Sequence, residues 1–256
     1  MYRVLRSIQG NFLGQIGGSR VGRRTGLMRG QCRHACAIRW RAGERSFKRA
    51  VSLTTLYLIR HAQSLPYPHL AEPDWALSPR GEDQARGLVR ILQPLGIRHL
   101  YCSPYRRCRA TLAPFAREAE IDVVLDPGLR ERRIAAVWMS DFRDVWRSSW
   151  ADFSYQVEGG ESSWTCRERI AAAVEAIVAR HPGETIGLGS HGNAIALFVN
   201  YVDPAFGLVE ASAVRTPEIL KVVHHAGRFS WDRAFAPGAA FDKLATDFRE
   251  TPGVTA

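Results

Sequence analysis

From residue 51 onward, short apolar runs alternate with longer segments whose apolar residues recur at helical spacing. A continuous apolar run between turn signals predicts a buried strand, and the spacing i, i+3, i+4, i+7 predicts an amphipathic helix. This pattern predicts strands at 55–59, 97–102, 121–125 and 185–189, followed by a hairpin at 218–225 and 228–232. It predicts helices between Ser78 and Gly96, from Tyr105 to Phe115, at 162–180 and at 194–202.

The alternation of strands and helices predicts an α/β fold of three layers, in which a mostly parallel sheet has helices on both faces. Two stretches fit this pattern poorly. The segment 132–161 is less regular and holds several tryptophans, and the segment beyond residue 236 shows no clear period. We therefore predict a basic leader over 1–50, a folded domain over 51–236 and a poorly patterned tail over 237–256.

The formal net charge of +10 originates in the leader. Residues 1–50 hold eleven arginines, one lysine and one acidic residue, whereas residues 51–256 hold 23 basic and 24 acidic residues. We therefore expect no nucleic-acid partner for the folded body. The leader itself has three interpretations: an organellar transit segment, a basic arm for nucleic acid or anionic lipid, or a start-site artefact. We favour a start-site artefact or a disordered extension over targeting.

The five cysteines and the hydropathy of the chain bear on its location. None of the cysteines form a C-x-x-C pair, which favours reduced structural thiols in a cytosolic protein. No stretch of 18 apolar residues occurs, so we expect no transmembrane helix and no membrane partner. We expect a cytoplasmic protein, or an organellar one if residues 1–50 are a genuine transit segment.

Four polar segments follow predicted strands or begin predicted helices: Arg60-His61, Ser103 to Arg107, Leu129-Arg130-Glu131 and Ser190-His191-Gly192. Open α/β sheets bind ligands at the carboxyl ends of their strands. Arginine forks match phosphate oxygens, a neutral histidine can carry a phosphoryl group covalently, and a carboxylic acid can protonate a leaving alkoxide. Together these residue types suit phosphoryl transfer without a metal ion.

Each of these residues also has a purely structural interpretation when it is taken alone. His61 could be a core histidine bonded to backbone, and His191 could cap a helix. Glu131 could pair with a neighbouring arginine, and Arg107 could be one of several surface arginines in 106–109. The order of the four segments and their placement at strand ends favour the functional interpretation.

In this order the segments resemble the motifs of the histidine phosphatase superfamily, the phosphoglycerate mutase-like fold, over about residues 53–232. Residues 60–64 are similar to its Arg-His-Gly signature, with Ala62 in place of the glycine. Residues 74–85 look like the segment with which the superfamily's next helix begins, and residues 103–111 look like its second arginine motif. Leu129-Arg130-Glu131 and Ser190-His191-Gly192 match the proton-donor segment and the second histidine motif.

The resemblance implies a role for each matched residue. His61 would become the phosphohistidine, and Glu131 would act as general acid and then as general base. The phosphoryl group would be bound by Arg60, Arg107 and His191. Further candidate substrate contacts are Gln63, Ser64 and, in the loop before the first helix, His69. We expect no metal, because the flanking arginines would repel a cation from the two histidines, and we expect no other cofactor.

Three activities fit this set of residues. The first is a histidine acid-type phosphatase, a phosphoric monoester hydrolase that takes a small phosphorylated metabolite. The second is a cofactor-dependent phosphoglycerate mutase, and the third is a low-activity binding member of the family. The segment 65–77 is short and only 59 residues separate Glu131 from His191, which favours hydrolysis over the longer insertions of mutases. The motifs specify neither the physiological substrate nor the oligomeric state.

Overall fold

The computed structural model describes residues 52–139 and 141–246, and the expectations for residues 1–50 lie outside this range. The strands are β1 (Thr54–Arg60), β2 (His99–Cys102), β3 (Val123–Leu125), β4 (Thr185–Ser190), β5 (Glu218–His225) and β6 (Arg228–Trp231). The α-helices are α1 (Pro79–Leu92), α2 (Arg106–Glu118), α3 (Phe142–Ala151), α4 (Ser163–Arg180), α5 (Gly192–Val202), α6 (Leu208–Ala213) and α7 (Ala239–Leu244).

The six strands form one mixed sheet in the order β3-β2-β4-β1-β5-β6. Strands β3, β2, β4 and β1 run parallel, and the hairpin β5–β6 continues the sheet antiparallel to β1. The predicted fold class, a mostly parallel sheet with helices on both faces, is confirmed. Buried residues of α1, α2 and α7 form the core on one face, and buried residues of α4 and α5 form the core on the other.

Two helices lie where the sequence pattern indicated little regular structure. Helix α3 falls within the irregular stretch 132–161, and it buries Val145 and the polar Ser149. Because a serine occupies one of its two buried positions, the apolar period is interrupted. Helix α7 lies beyond residue 236 and buries Phe241 completely. Its six residues are too few to produce a recognisable period.

Helix α1 is anchored to the loop that follows β1. The Ser78 hydroxyl caps the helix by accepting a hydrogen bond from the Gly81 amide, at 2.9 Å. The Gln84 side chain accepts a hydrogen bond from the Gln63 amide at 2.9 Å. A Cβ atom at Gly81 would lie 2.0 Å from the Gln63 carbonyl oxygen, so only glycine permits this approach. The helix thus fixes the backbone directly after Arg60-His61.

The remaining expectations concern thiols and membranes. Cys102, Cys108 and Cys166 are buried and free, as the scattered spacing predicts. None of the helices within residues 52–139 and 141–246 is both long and apolar enough to span a bilayer.

Candidate active site

The candidate site lies where the parallel strands end, and it begins with His61. Arg60 is aligned with Ser190 across the β1–β4 pair, and the His61 amide donates to the Ser190 carbonyl oxygen at 3.1 Å. The His61 Nδ1 atom lies 2.8 Å from the Ala62 carbonyl oxygen. Because a carbonyl oxygen can only accept, Nδ1 carries the proton and Nε2 keeps its lone pair. His61 is thereby fixed in the tautomer that a nucleophile attacking through Nε2 requires.

Ala62 is the departure from the superfamily's glycine, and the structure accommodates its methyl group. Ala62 is fully buried in a small cluster with Leu77 and Ala85. Its amide donates to the Thr111 hydroxyl at 2.9 Å, and its backbone does not adopt a positive φ. The loop therefore does not need the conformational freedom of glycine at this position.

Arg107 is the cation nearest to the lone pair of His61. Its Nε donates to His61 Nε2 at 3.2 Å, and its side chain is almost completely buried. The guanidinium carbon lies 5.4 Å from the centroid of the Trp75 ring and 5.1 Å from that of Tyr105, two cation–π contacts that hold it in place. Arg107 therefore belongs to the site and is not a surface residue.

Arg60 supplies a second buried cation beside the site. Its Nη1 donates to the carbonyl oxygens of Val214 and Arg215, at 2.7 and 3.2 Å. Burial lowers its pKa to about 10, so it remains charged at neutral pH. A Cβ atom at Gly192 would lie 3.0 Å from the Arg60 guanidinium carbon, so a larger residue there would press on this side chain.

Burial, together with the two arginines, keeps the two histidines neutral. Burial, and next the charges of Arg107 and Arg60, hold the pKa of His61 well below its usual range. The pKa of His191 is likewise held well below the usual range by burial, and then by the charge of Arg107. Both rings are therefore neutral at pH 7, as a histidine nucleophile requires.

His191 lies directly behind His61. Its ring is fully buried, and its centroid is 5.2 Å from that of His61 in an edge-on arrangement. Its Nε2 is 2.8 Å from the Ser103 hydroxyl and 3.4 Å from the Cys108 sulfur. It occupies the N-cap position of α5, yet its side chain makes no capping bond. The helix-cap interpretation therefore does not account for this residue.

Glu131 is held at the N-terminus of α5. Its Oε1 accepts from the amides of Arg132 and Ala194, at 2.8 and 3.0 Å, and its Oε2 accepts from the Asn193 amide at 3.3 Å. These bonds hold the carboxyl group at the wall of the cavity that contains His61. Because the partners of this carboxyl group are backbone amides, Glu131 is not simply paired with a neighbouring arginine at the surface.

These side chains surround a cavity of about 170 Å³, which we call the inner cavity. Of the residues singled out from the sequence, its lining includes Arg60, His61, Ser64, Arg107 and Glu131. Three others lie elsewhere. His191 is behind the wall, and the Gln63 side chain accepts from the Ser78 hydroxyl at 2.7 Å, away from the lining. His69 lines a second, larger cavity.

Glu72 is a member of the site that the motifs did not indicate. Its carboxylate accepts from Arg107 Nη2 at 2.7 Å, and its carbonyl oxygen accepts from Nη1 at 2.7 Å. Burial raises the pKa of this carboxyl group, and the charge of Arg107 opposes the rise. Glu72 thus engages both terminal nitrogens of the Arg107 guanidinium. It lies in a short 3₁₀ turn that contains Pro73 and matches no motif, so the sequence offers no signal for it.

Comparison with protein families finds one match that covers most of the described chain. The model of the histidine phosphatase superfamily (branch 1) matches residues 56–233. A probable phosphoglycerate mutase, GpmB, of Erwinia tasmaniensis is 28% identical over 158 residues, which cover 57% of this chain and 74% of that protein. Phosphoserine phosphatase 1 of Hydrogenobacter thermophilus is 28% identical over 153 residues, covering 54% and 71%.

Solved structures share the fold at lower identity. A mycobacterial glucosyl-3-phosphoglycerate phosphatase in complex with inorganic phosphate superposes with a TM-score of 0.59 at 20% identity, over 73% of this chain and 98% of that one. A phosphoglycerate mutase from Bacillus anthracis superposes with a TM-score of 0.60 at 17% identity, over 76% and 97%. At these identities the structures establish the fold alone.

Proposed function

Because the chain belongs to the histidine phosphatase superfamily (branch 1), we propose that it is a metal-independent phosphomonoesterase with a phosphohistidine intermediate on His61. The supporting observation is the pairing of a neutral His61 Nε2 with the Arg107 guanidinium at 3.2 Å. This pairing supports the proposal, because a cation beside the lone pair could hold a phosphoryl group next to the nucleophile. The relatives are phosphatases and mutases of small phosphorylated compounds, and the proposal assigns one specific activity from that range to this chain.

In the first step, His61 Nε2 forms a bond to phosphorus while the bond from phosphorus to the alcohol oxygen breaks. Glu131 has to be protonated when the ester is bound. It then gives its proton to the departing alkoxide and becomes the carboxylate that the backbone amides hold in the structure. The Nδ1 proton stays on the ring, bonded to the Ala62 carbonyl oxygen, which stabilises the positive charge of the phosphorylated imidazole.

In the second step, a water molecule attacks phosphorus and the bond to Nε2 breaks. The Glu131 carboxylate takes a proton from that water, so the acid is restored and inorganic phosphate leaves. His61 returns to its neutral form. The same carboxyl group therefore serves both halves of the reaction, which fits its fixed position at the wall of the inner cavity.

Arg60 and Arg107 would stabilise the charge on the equatorial oxygens, which is the main requirement of phosphoryl transfer. Two cations in a largely buried site act more strongly than they would in water. In this proposal His191 adds an N–H donor to the phosphoryl oxygens, although in the structure its Nε2 contacts Ser103. A phosphate would also have to displace the Glu72 carboxylate from Arg107.

A phosphoglycerate mutase is the second candidate, because several relatives carry that name. A mutase returns the phosphoryl group to a phosphoglycerate, whereas a phosphatase gives it to water. The two are separated by incubating the protein with labelled 2,3-bisphosphoglycerate and 3-phosphoglycerate. Our proposal expects no transfer of label to 3-phosphoglycerate, so that any label leaving bisphosphoglycerate appears as inorganic phosphate. Label exchange between the two phosphoglycerates without phosphate release would favour the mutase.

If Glu131 is the proton donor, replacing it should slow the hydrolysis of esters with poor leaving groups more than that of esters with good ones. In Glu131→Gln, we expect kcat/KM for an alkyl phosphate to fall by roughly 10²–10⁴-fold. The fall for 4-nitrophenyl phosphate should be much smaller, because nitrophenolate leaves without a proton. Steady-state hydrolysis of both esters, with chelator present, measures this difference.

The matched control for that experiment is Glu158→Gln, which removes an exposed carboxylate before α4. It should leave kcat/KM unchanged for both esters. An equal loss for both esters in Glu131→Gln would contradict the acid role, since it would mean that proton donation is not what the side chain supplies.

The position of Glu72 makes a prediction about anion affinity. We expect Glu72→Gln to bind inorganic phosphate about tenfold more tightly, because a neutral amide competes less well than a carboxylate for the Arg107 guanidinium. The inhibition constant of phosphate in the ester assay measures it. Asp74→Asn, in the same 3₁₀ turn, is the control and should change nothing. Unchanged or weaker phosphate binding in Glu72→Gln would show that Glu72 does not compete for this position.

A cytoplasmic location remains part of the proposal. It is supported by the three free thiols, all buried, at Cys102, Cys108 and Cys166. Free cysteines of this kind are usual in reducing compartments.

A further inference from the structure

The inner cavity adjoins a larger one of about 1020 Å³, which we call the outer cavity. It lies between the loop 66–75 and the segments 134–139 and 141–147. The two cavities share five wall residues: Pro66, Glu72, Trp75, Ile134 and Phe142. A molecule that places a phosphoryl group on His61 would therefore extend its other end into the outer cavity.

The sizes of the two cavities indicate which part of a substrate each of them could hold. The inner cavity, at about 170 Å³, has room for a phosphoryl group and little more. The outer cavity, at about 1020 Å³, reaches the upper end of the range of sites for drug-sized ligands, roughly 300–1,000 Å³. A three-carbon alcohol would leave most of this volume to water.

Most of the residues that line the outer cavity are apolar, and two of them are tryptophans. The rings of Trp75 and Trp138 meet edge to face, with centroids 6.0 Å apart. The Trp75 indole N–H donates to the carbonyl oxygens of Tyr67 and Leu70, at 3.2 and 3.1 Å, so this ring is fixed in orientation. Leu70 and Trp138 are 42% and 46% exposed although they are large apolar side chains. Such side chains grouped around a cavity indicate an apolar ligand.

The charges of the outer cavity do not favour an anionic substrate end. Its described lining carries two arginines against three carboxylates: Arg143, Arg147, Glu72, Asp141 and Asp144. Arg147 is bonded to Asp144 at 3.5 Å. A carboxylate or second phosphate on the alcohol would thus meet a lining with no excess of positive charge, and burying an uncompensated charge is costly.

From these observations we infer that the physiological substrate is the phosphate monoester of an uncharged, aromatic or extended apolar alcohol, which the outer cavity binds. The inference rests on the proposed phosphatase function and adds the class of alcohol to it. It separates this chain from relatives named for phosphoserine, phosphoglycerate and glucosyl-3-phosphoglycerate, whose alcohols carry a carboxylate.

The test compares three alkyl phosphates whose leaving alcohols have similar intrinsic reactivity: 3-phenylpropyl phosphate, propyl phosphate and 3-phosphoglycerate. We expect kcat/KM for 3-phenylpropyl phosphate to exceed that of each of the other two by about tenfold or more, from the apolar area that the ring buries. 4-Nitrophenyl phosphate is included as a reactive reference.

Variants locate the source of this preference. Trp138→Ala should remove most of the advantage of 3-phenylpropyl phosphate and leave propyl phosphate unchanged. Trp164→Ala is the matched control, because Trp164 is 45% exposed and lies outside both cavities. Leu70→Ala provides a second variant on the opposite wall, so a folding defect in one variant does not decide the test.

The outcomes separate the inference from the function on which it rests. A preference for 3-phenylpropyl phosphate that is lost in Trp138→Ala and kept in Trp164→Ala supports the inference. Equal rates for the three esters, or a preference for 3-phosphoglycerate, would overturn it while leaving the phosphatase proposal intact. Absence of hydrolysis of every ester, 4-nitrophenyl phosphate included, would overturn the phosphatase proposal and the inference with it.

Discussion

His61→Ala is expected to lower the hydrolysis of 4-nitrophenyl phosphate by about 10⁴-fold or more, as loss of a covalent nucleophile does in other enzymes. Without Nε2 no bond to phosphorus forms, and the arginines retain a bound ester that cannot react. The loss should appear in kcat, with KM changed little, because phosphate binding depends on Arg60 and Arg107. Ester hydrolysis in the presence of a chelator measures the effect.

Two further measurements make the His61 result specific. His225→Ala removes an exposed histidine at the end of β5 and should keep full activity. His61→Gly supplied with free imidazole should regain part of the lost activity, since the added ring can occupy the vacated space and attack phosphorus. Retention of more than about a tenth of wild-type kcat in His61→Ala would exclude covalent catalysis by this residue.

Arg107→Ala is expected to lower kcat/KM by roughly 10³–10⁵-fold, the range found when an arginine that stabilises phosphoryl transfer is removed. Arg107 contributes in two ways. It supplies positive charge for the transferred oxygens, and its charge helps to hold the pKa of His61 low, so that the nucleophile stays neutral. In Arg107→Ala we therefore also expect the pKa of His61 to rise, which an NMR titration of the ring would detect.

The neighbouring residue offers a matched control. Arg106 is exposed and adjacent in α2, so Arg106→Ala removes the same charge from the surface and should leave kcat/KM within about twofold of wild type. Arg107→Lys keeps the positive charge but not the planar guanidinium group, so its kcat/KM should fall less than that of Arg107→Ala. Equal effects of Arg106→Ala and Arg107→Ala would contradict the assignment of Arg107 to the site.

The parts of the site that the sequence predicted are those tied to strand ends. Arg60, His61 and Ser190 follow continuous apolar runs, and a run of that kind determines where a strand stops. Because parallel strands end at the same edge of the sheet, segments that are distant in sequence then meet there, and no other sequence signal is needed to predict that they meet. Glu131 required the resemblance to a family, because it follows an irregular turn after β3 and no period indicates its place.

The side-chain contacts that the sequence did not predict are made by the loop between β1 and α1. Glu72 reaches Arg107 because a short turn that contains Pro73 packs against the site, and no local pattern specifies where such a turn packs. Gln63 was a candidate substrate contact by proximity to His61, yet its side chain bonds to Ser78 and supports α1. Adjacent residues in an irregular loop point in different directions, so neighbourhood in sequence does not establish contact with a ligand.

The most direct test of the central claim is to trap the phosphorylated enzyme. Glu131→Gln, which should be slow to hydrolyse the intermediate, is mixed with 4-nitrophenyl phosphate, quenched in alkali and digested for mass spectrometry. Our account predicts one phosphate on His61 Nε2, formed together with a stoichiometric burst of nitrophenol and absent in the double variant His61→Ala, Glu131→Gln. A burst of nitrophenol with the phosphate on another residue, or turnover by wild type with no phosphorylated His61 at any quench time, would contradict it.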